Sequence, residues 1–411
     1  MNDVAKPHLV QPFAALRPAP ERAAEVAAPP YDVLNSEEAR ALAAGKPNSF
    51  LHISKPEIDL PPDTDAHAPE VYAKGGENMA RLIDDGVLRR DQNPCYYIYR
   101  VQMGAHVQTG LAAGGSVPAY EANLIRKHEL THPDKEDDRV QQIEAVGAHT
   151  GPVFTMHKSD AALAEIIARV AAGRPDYGAE IDEGIRHTLW TIDRADDIAG
   201  VTEAFDRLGV IYIADGHHRS AAAARVAEAR GIDRAGYFLI VSFPADEVQI
   251  LDYNRVVRDL AGMAPAEFLD RLRGSFDVAA LAGPAKPGQP ASFGLYLDGG
   301  WHDLHFKSPP AADAAPLERL DVSILSAEIL EPVLGIGDPR TDPRIDFIGG
   351  SRGMAELETR VDSDGWAAAF ALYPTAMEDL MAVADADQIM PPKTTWFEPK
   401  LADGLISLPL D

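Results

Sequence analysis

The stretch Val210 to Gly231, VIYIADGHHRSAAAARVAEARG, decides how this chain is read. Val210 to Ala214 is an apolar, β-branched run of the length a buried strand needs, and Asp215-Gly216 ends it with turn chemistry. The small helix formers Ala221 to Ala224, the unbroken continuation to Arg230 and a terminal Gly231 predict a helix directly behind it. His217, His218 and Arg219 therefore fall at a helix N-terminus. Unpaired N–H groups and the positive end of the dipole attract an anion there, and a guanidinium can grip phosphate or carboxylate through two parallel hydrogen bonds. Asp215, at the carboxyl end of the strand, suits Mg²⁺ or a substrate amine. The plainer reading makes Asp215 a helix cap and the histidines packing residues. A run of polar residues and glycine from Asp215 to Arg219, at the mouth of a buried strand, favours a site. Neither a Walker motif nor a G-x-G-x-x-G behind a predicted strand occurs.

The 411 residues, 46% of them hydrophobic, are enough for two or three domains or one large core with a satellite. No apolar run approaches the roughly 20 residues of a membrane helix, and MNDVAKPHLVQPF lacks the apolar centre of a signal peptide, so no membrane association and a cytoplasmic location are expected. Cys95 is the single cysteine, which excludes an intrachain disulfide and a multi-cysteine zinc site. A formal charge of -26 would repel nucleic acid over most of the surface. It would repel a nucleotide too, so a nucleotide site needs a local basic patch with Mg²⁺ shielding the phosphates.

Before the central stretch, Pro29 to Asp32 reads as a rigid loop ahead of a helix capped by Asn35 or Ser36. Asp32 is a candidate substrate-binding residue there, with a plain turn aspartate as the alternative. Phe50 to Ile53 reads as a strand, Val71 to Gly86 as a helix, Tyr96 to Val101 and Val107 to Ala113 as paired strands, and Ala119 to Glu129 as a helix. Further strands are expected at Val153 to Met156, His187 to Ile192 and Tyr237 to Phe243, and helices at Ala161 to Ala172 and Ile198 to Leu208. Phe293 to Leu297 and Trp301 to Phe306 form a predicted hairpin across Asp298-Gly299-Gly300.

The segment Arg126-Lys127-His128-Glu129-Leu130-Thr131-His132 contains a literal H-E-x-x-H. That string binds zinc only when both histidines share one helical face, and Pro133 places His132 at or past a helix end. The basic cluster of Arg126, Lys127, Lys135 and Arg139 points instead to phosphate, with Glu129 as a general base and Arg126 and His128 near the substrate. A solvated helix end with ordinary ion pairs is the alternative. A third stretch, Met390 to Lys400, holds Lys393, Thr394 and Thr395 between prolines, a stiff backbone that can offer one charge and two hydroxyls to an anion or can be a packed tail.

Taken in order, Lys127-His128-Glu129-Leu130, Asp215-Gly216-His217-His218-Arg219 and Pro392-Lys393-Thr394-Thr395 resemble the motifs of the free serine kinase group of the ParB/sulfiredoxin-like superfamily, and nearly the whole chain resembles a bacterial family labelled as a domain of unknown function. The resemblance implies an α/β (α+β) fold with a ParB/sulfiredoxin-like core at 119–260 carrying the first two motifs, an N-terminal α/β segment at 1–118 and a C-terminal one at 261–411. It implies Glu129 as base for a serine hydroxyl, Asp215 in catalysis, and Gly216, His217, His218 and Arg219 beside the nucleotide phosphates, with Asp215 kept as the candidate metal ligand from its place at the strand end. Lys393, Thr394 and Thr395 would help hold the ligand. The spacing of the first two motifs is longer here than in the small archaeal enzymes, and the first 119 residues have no evident counterpart there. The expected activity is a kinase using ATP or ADP with Mg²⁺ on free L-serine or a similar polar metabolite. A nucleotide-binding regulator without turnover and a zinc hydrolase are the alternatives.

Overall fold

The computed structural model describes residues 7–181 and 184–410. The chain is a mixed α/β protein that divides into two compact units: residues 1–248 with 399–411, and residues 249–398. These units cut across the segments expected from the motifs. Residues 1–118 share their unit with the two central motifs, and the chain after residue 398 returns to it.

The first unit is built on a mixed sheet. Among the described residues its strands run in the order Ile125–Arg126, Ile211–Asp215, Val153–His157, Tyr237–Pro244, His106–Ser116, Tyr96–Met103, Ile185–Ile192 and Tyr177–Ile181, with Val10–Gln11 added on His106–Ser116. The Asp215 strand is parallel to Ile125–Arg126 and antiparallel to Val153–His157. The helix His217–Arg230 presents the small residues Ala222, Ala223 and Ala227 to a core that includes Ile211, Ile213, Val226 and Phe238. Residues that small let a helix backbone lie close to the sheet beneath it.

Two expected elements differ. Phe50 to Ile53 is not a strand: Leu51–Ser54 is a short helix whose Leu51 and Ile53 fill a second core with Val26, Met79 and Leu82. An apolar run this short carries no period able to separate strand from helix. The helix expected over Ala119 to Glu129 stops after Glu121, where Asn123 takes a φ of +55° and turns the chain into the strand Ile125–Arg126. The parallel pairing of that strand with Ile211 and Tyr212 overrides the helical tendency of the sequence. The H-E-x-x-H string is consequently not helical. His132 is the extended residue ahead of the helix Pro133–Val146, and Glu129 lies on the connecting loop.

The second unit is an antiparallel sheet in the order Phe276–Leu281, Gly300–Phe306, Ser292–Leu297, Ala368–Leu372, Tyr253–Val257 and Ile345–Gly349, with the small pair Gln249–Leu251 and Trp396–Glu398. The predicted hairpin is present, Leu297 pairing with Gly300. No helix among the described residues is long and apolar enough to cross a membrane.

Candidate functional site at the Asp215 turn

The pairing of Ile211–Asp215 with Val153–His157 slips between Ile213 and Asp215, an irregularity that re-aims the last side chain of the strand. Gly216 then takes a φ of +103°, a left-handed conformation that favours glycine. A Cβ here would also lie 3.0 Å from Arg219 Cζ, so a side chain at this position would crowd the guanidinium. The helix that follows carries no side-chain cap on its first turn. Asp215 is therefore not a capping residue, and the amides of that turn keep their capacity to bind an anion.

Charge gathers around Asp215 from distant parts of the sequence. Lys400 Nζ donates to Asp215 Oδ2 at 2.9 Å. Arg219 Nη2 lies 3.6 Å from Asp215 Oδ1 and 3.8 Å from Asp32 Oδ2, while its Nη1 donates to the Pro152 carbonyl. These residues, with Pro30, Phe154 and Leu401, line a cleft of about 240 Å³. Burial pushes the Asp215 carboxyl up, but Lys400 and Arg219 more than offset it and hold it well below the usual carboxylate range. Both carboxylate oxygens of Asp215 thus face cations, Oδ2 the ammonium of Lys400 and Oδ1 the guanidinium of Arg219.

Arg219 also walls a second recess, lined among others by Tyr31, Arg139, His149, Gly151 and Phe238. Arg139 stacks its guanidinium 4.0 Å from the Tyr31 ring centroid and donates from Nε to Asp138 at 2.9 Å. The buried Asp403 accepts the Tyr31 amide at 3.1 Å, and burial pushes its carboxyl up to about 7 against the opposing pull of Arg219.

The loop after Arg126 lies along the first turn of the His217 helix. The His132 amide donates to His218 Nε2 at 3.1 Å, and the two rings stack with centroids 6.0 Å apart. The His128 amide approaches His217 Nε2 at 3.4 Å, the two rings meet edge to face at 4.5 Å, and Glu129 Oε2 stands 3.7 Å from His217 Nδ1. His132 thus pairs with His218 rather than with His128, which removes the peptidase-like use of the string. Donor atoms of His128, Glu129 and His217 lie within 4.8 Å of one another. Burial lowers the His128 imidazole to about 4 and His217 well below its ordinary value. Burial together with Lys135 lowers His218 to about 4. All three are neutral at neutral pH, so the positive charge at the turn comes from Arg219 and Lys400.

The structure therefore brings Asp32, Asp215, Gly216, His217, His218 and Arg219 together with His128 and Glu129 in the first unit. Arg126 sits on the neighbouring strand with its guanidinium 5.9 Å from the Tyr212 ring centroid, and Lys127 is 4.4 Å from that of Tyr120. Lys393, Thr394 and Thr395 belong to the second unit. There the Thr394 hydroxyl donates to the Pro391 carbonyl at 2.6 Å, and Lys393, at a φ of +56°, has its ammonium 5.8 Å from the Tyr253 ring centroid. Lys400 and Asp403 received no role from the sequence. The available signal was a lysine directly after Pro399 in a strongly acidic chain.

A comparison with the curated proteins gave no match. Among solved structures, the chain is similar to SbnI with a C-terminal truncation from Staphylococcus aureus, at 12% identity and a TM-score of 0.38 over 73% of this chain and 87% of that one. It is similar to a conserved hypothetical protein from Pyrococcus furiosus, at 12% identity and 0.34 over 73% and 95%. A free serine kinase in complex with AMP aligns at 13% identity and 0.33 over 72% and 92%. The family model described as protein of unknown function (DUF1015) matches residues 10–323, more than half of the chain, which therefore belongs to that family.

Proposed function

We propose that the first unit is a phosphotransferase: it binds a nucleoside phosphate at the Asp215 turn and directs the phosphoryl group to the hydroxyl of a small polar metabolite, free L-serine being the first candidate. The observation that carries this reading is the uncapped first turn of His217–Arg230, flanked by Arg219 and Lys400, with Glu129 Oε2 3.7 Å from His217 Nδ1. The ordered resemblance of the HE and DGHHR motifs to the free serine kinases supports it.

In this reading the helix amides and Arg219 hold the phosphates, and Glu129, half exposed at the edge of the turn, accepts the proton of the attacking hydroxyl. Neutral His217 and His218 accept loop amides and so fix the HE loop against the helix. ATP or ADP would supply the phosphoryl group. Mg²⁺ would enter with the nucleotide to neutralise its charge, with Asp215 as ligand and Lys400 freed toward the phosphates.

The test is incubation with Mg²⁺-ATP or Mg²⁺-ADP and a panel of hydroxyl metabolites, read by mass spectrometry of the products. A phosphorylated metabolite is expected, and Glu129→Gln should lower kcat on the order of 10²–10⁴-fold with nucleotide affinity retained. Tight nucleotide binding without any product, unchanged in Glu129→Gln, would replace this reading with a nucleotide-responsive regulator.

A further inference from the structure

His128 and Glu129 are adjacent on the loop, His217 lies 88 residues beyond Glu129, and the three offer donor atoms within 4.8 Å of one another. His128 is 3% exposed, and its Nδ1 is a buried atom with no hydrogen-bond partner. A buried imidazole nitrogen in that state costs free energy unless something occupies it. The backbone of Ile213 engages the same imidazole in a hydrogen bond that favours its protonated form, so the ring donates there. With Nδ1 unpartnered, the donor is Nε2, and the tautomer this fixes leaves the Nδ1 lone pair unused. A backbone carbonyl holding the far nitrogen is also how metal-binding histidines are oriented.

We propose that His128, Glu129 and His217 form a mononuclear site for a divalent transition ion of borderline softness, Zn²⁺ or Co²⁺, with positions left open on the exposed Glu129 side. Two imidazoles and one carboxylate are a donor set for such ions, whereas Mg²⁺ prefers oxygen alone. His217 Nδ1 already faces Glu129. Its use as a ligand puts the ring proton on Nε2 and gives up only the His128 amide contact, which at 3.4 Å is long. The proposal does not depend on phosphotransfer. With the ion bound, Glu129 is a ligand rather than a free base, and an incoming hydroxyl or phosphate oxygen would take an open position.

The experiment uses the full chain, stripped with a chelator, dialysed and titrated with Co²⁺ alone. Visible d–d absorption reports binding, and competition by Zn²⁺ reports affinity. One equivalent is expected to bind, with neither nucleotide nor turnover involved. Glu129→Gln, at a half-exposed position that does not threaten folding, and His217→Ala should each weaken binding by more than about 100-fold, beyond the range for loss of an outer-shell partner. His132→Ala should leave it unchanged. Absence of a saturable one-equivalent site, or equal losses in His132→Ala and His217→Ala, overturns the proposal and leaves the phosphotransfer reading untouched.

Discussion

Two stretches of this chain look alike on paper and behave differently in the fold. Asp215 to Arg219 and Pro391 to Thr395 are both short, polar and stiffened, one by a glycine turn and the other by prolines. At the first, side chains turn outward to partners far along the chain: Asp215 to Lys400, Arg219 to Asp32, His218 to the His132 amide. At the second, the groups serve their own unit. Thr394 donates to Pro391, its carbonyl accepts Thr375, and the buried Arg255 donates to the Lys393 carbonyl at 2.9 Å. A rigid polar turn becomes a site when its side chains are still available after the local backbone has been satisfied.

The largest expected contrast between the units is their response to acid. In the first unit, His128, His149, His157 and His187 are buried, and burial lowers each to about 4. An unfolded histidine titrates near 6.5, so between that pH and about 4 the unfolded state binds more protons and stability falls as pH drops. Each such group contributes a loss of up to about 2 kcal/mol at pH 5 by this linkage. Asp403, pushed up to about 7, works in the opposite direction, since the folded state takes up its proton first. Hydrogen exchange at pH 7 and pH 5, the latter corrected for intrinsic rate, should show the first unit losing protection well before the second. Equal losses would mean that these histidines are hydrated in solution. Asp403→Asn should steepen the loss.

A smaller effect, again confined to one unit, is expected from Arg219→Met. It leaves Asp215 and Asp32 without the guanidinium between them. Because Asp32 is exposed, Asp215 is partly exposed and Asp215 keeps Lys400, the loss should lie between the about 1 kcal/mol of a surface pair and the about 3 kcal/mol of a buried one. Denaturation followed by exchange in each unit checks this. A loss below about 1 kcal/mol, the value of a surface pair, would show that water replaces the guanidinium.

The smallest expected effect belongs to the proline-stiffened turn. Lys393 holds a φ of +56°, where a residue with a Cβ costs about 1 kcal/mol more than glycine. Lys393→Gly should raise the stability of the second unit by about that amount. Nucleotide affinity measured on the same variant sharpens the contrast: unchanged binding makes the turn purely structural, and weaker binding gives the ammonium a use that repays its strain.

What the sequence made legible was local. The strand and helix around Asp215 follow from an apolar run, a glycine and a series of small helix formers, each acting on its neighbours. The helix Pro133–Val146 went unnoticed because its charged residues blur the period of Gln142, Ile143 and Val146, which the tertiary fold buries. Glu129 was read as the end of a helix, although a two-residue strand paired with Ile211 fixes its loop. At the site, the motif residues themselves were readable. Their companions Lys400 and Asp403 were not, because each reaches its partner across a long interval of sequence that no local pattern encodes.

The interval between Asp215 and Lys400 sets an order of events during synthesis. Asp215 emerges from the ribosome long before Lys400, and residues 249–398 are made in between. The strand Ala148–His149 likewise waits for Leu408–Pro409. During elongation the second unit is a continuous stretch able to condense at once, while the first carries an unmatched carboxylate and a bare β-edge until the chain returns to it. Translational pausing after residue 398 would hold the nascent protein with its Asp215 turn formed but without Lys400, and chaperone capture should peak in that window.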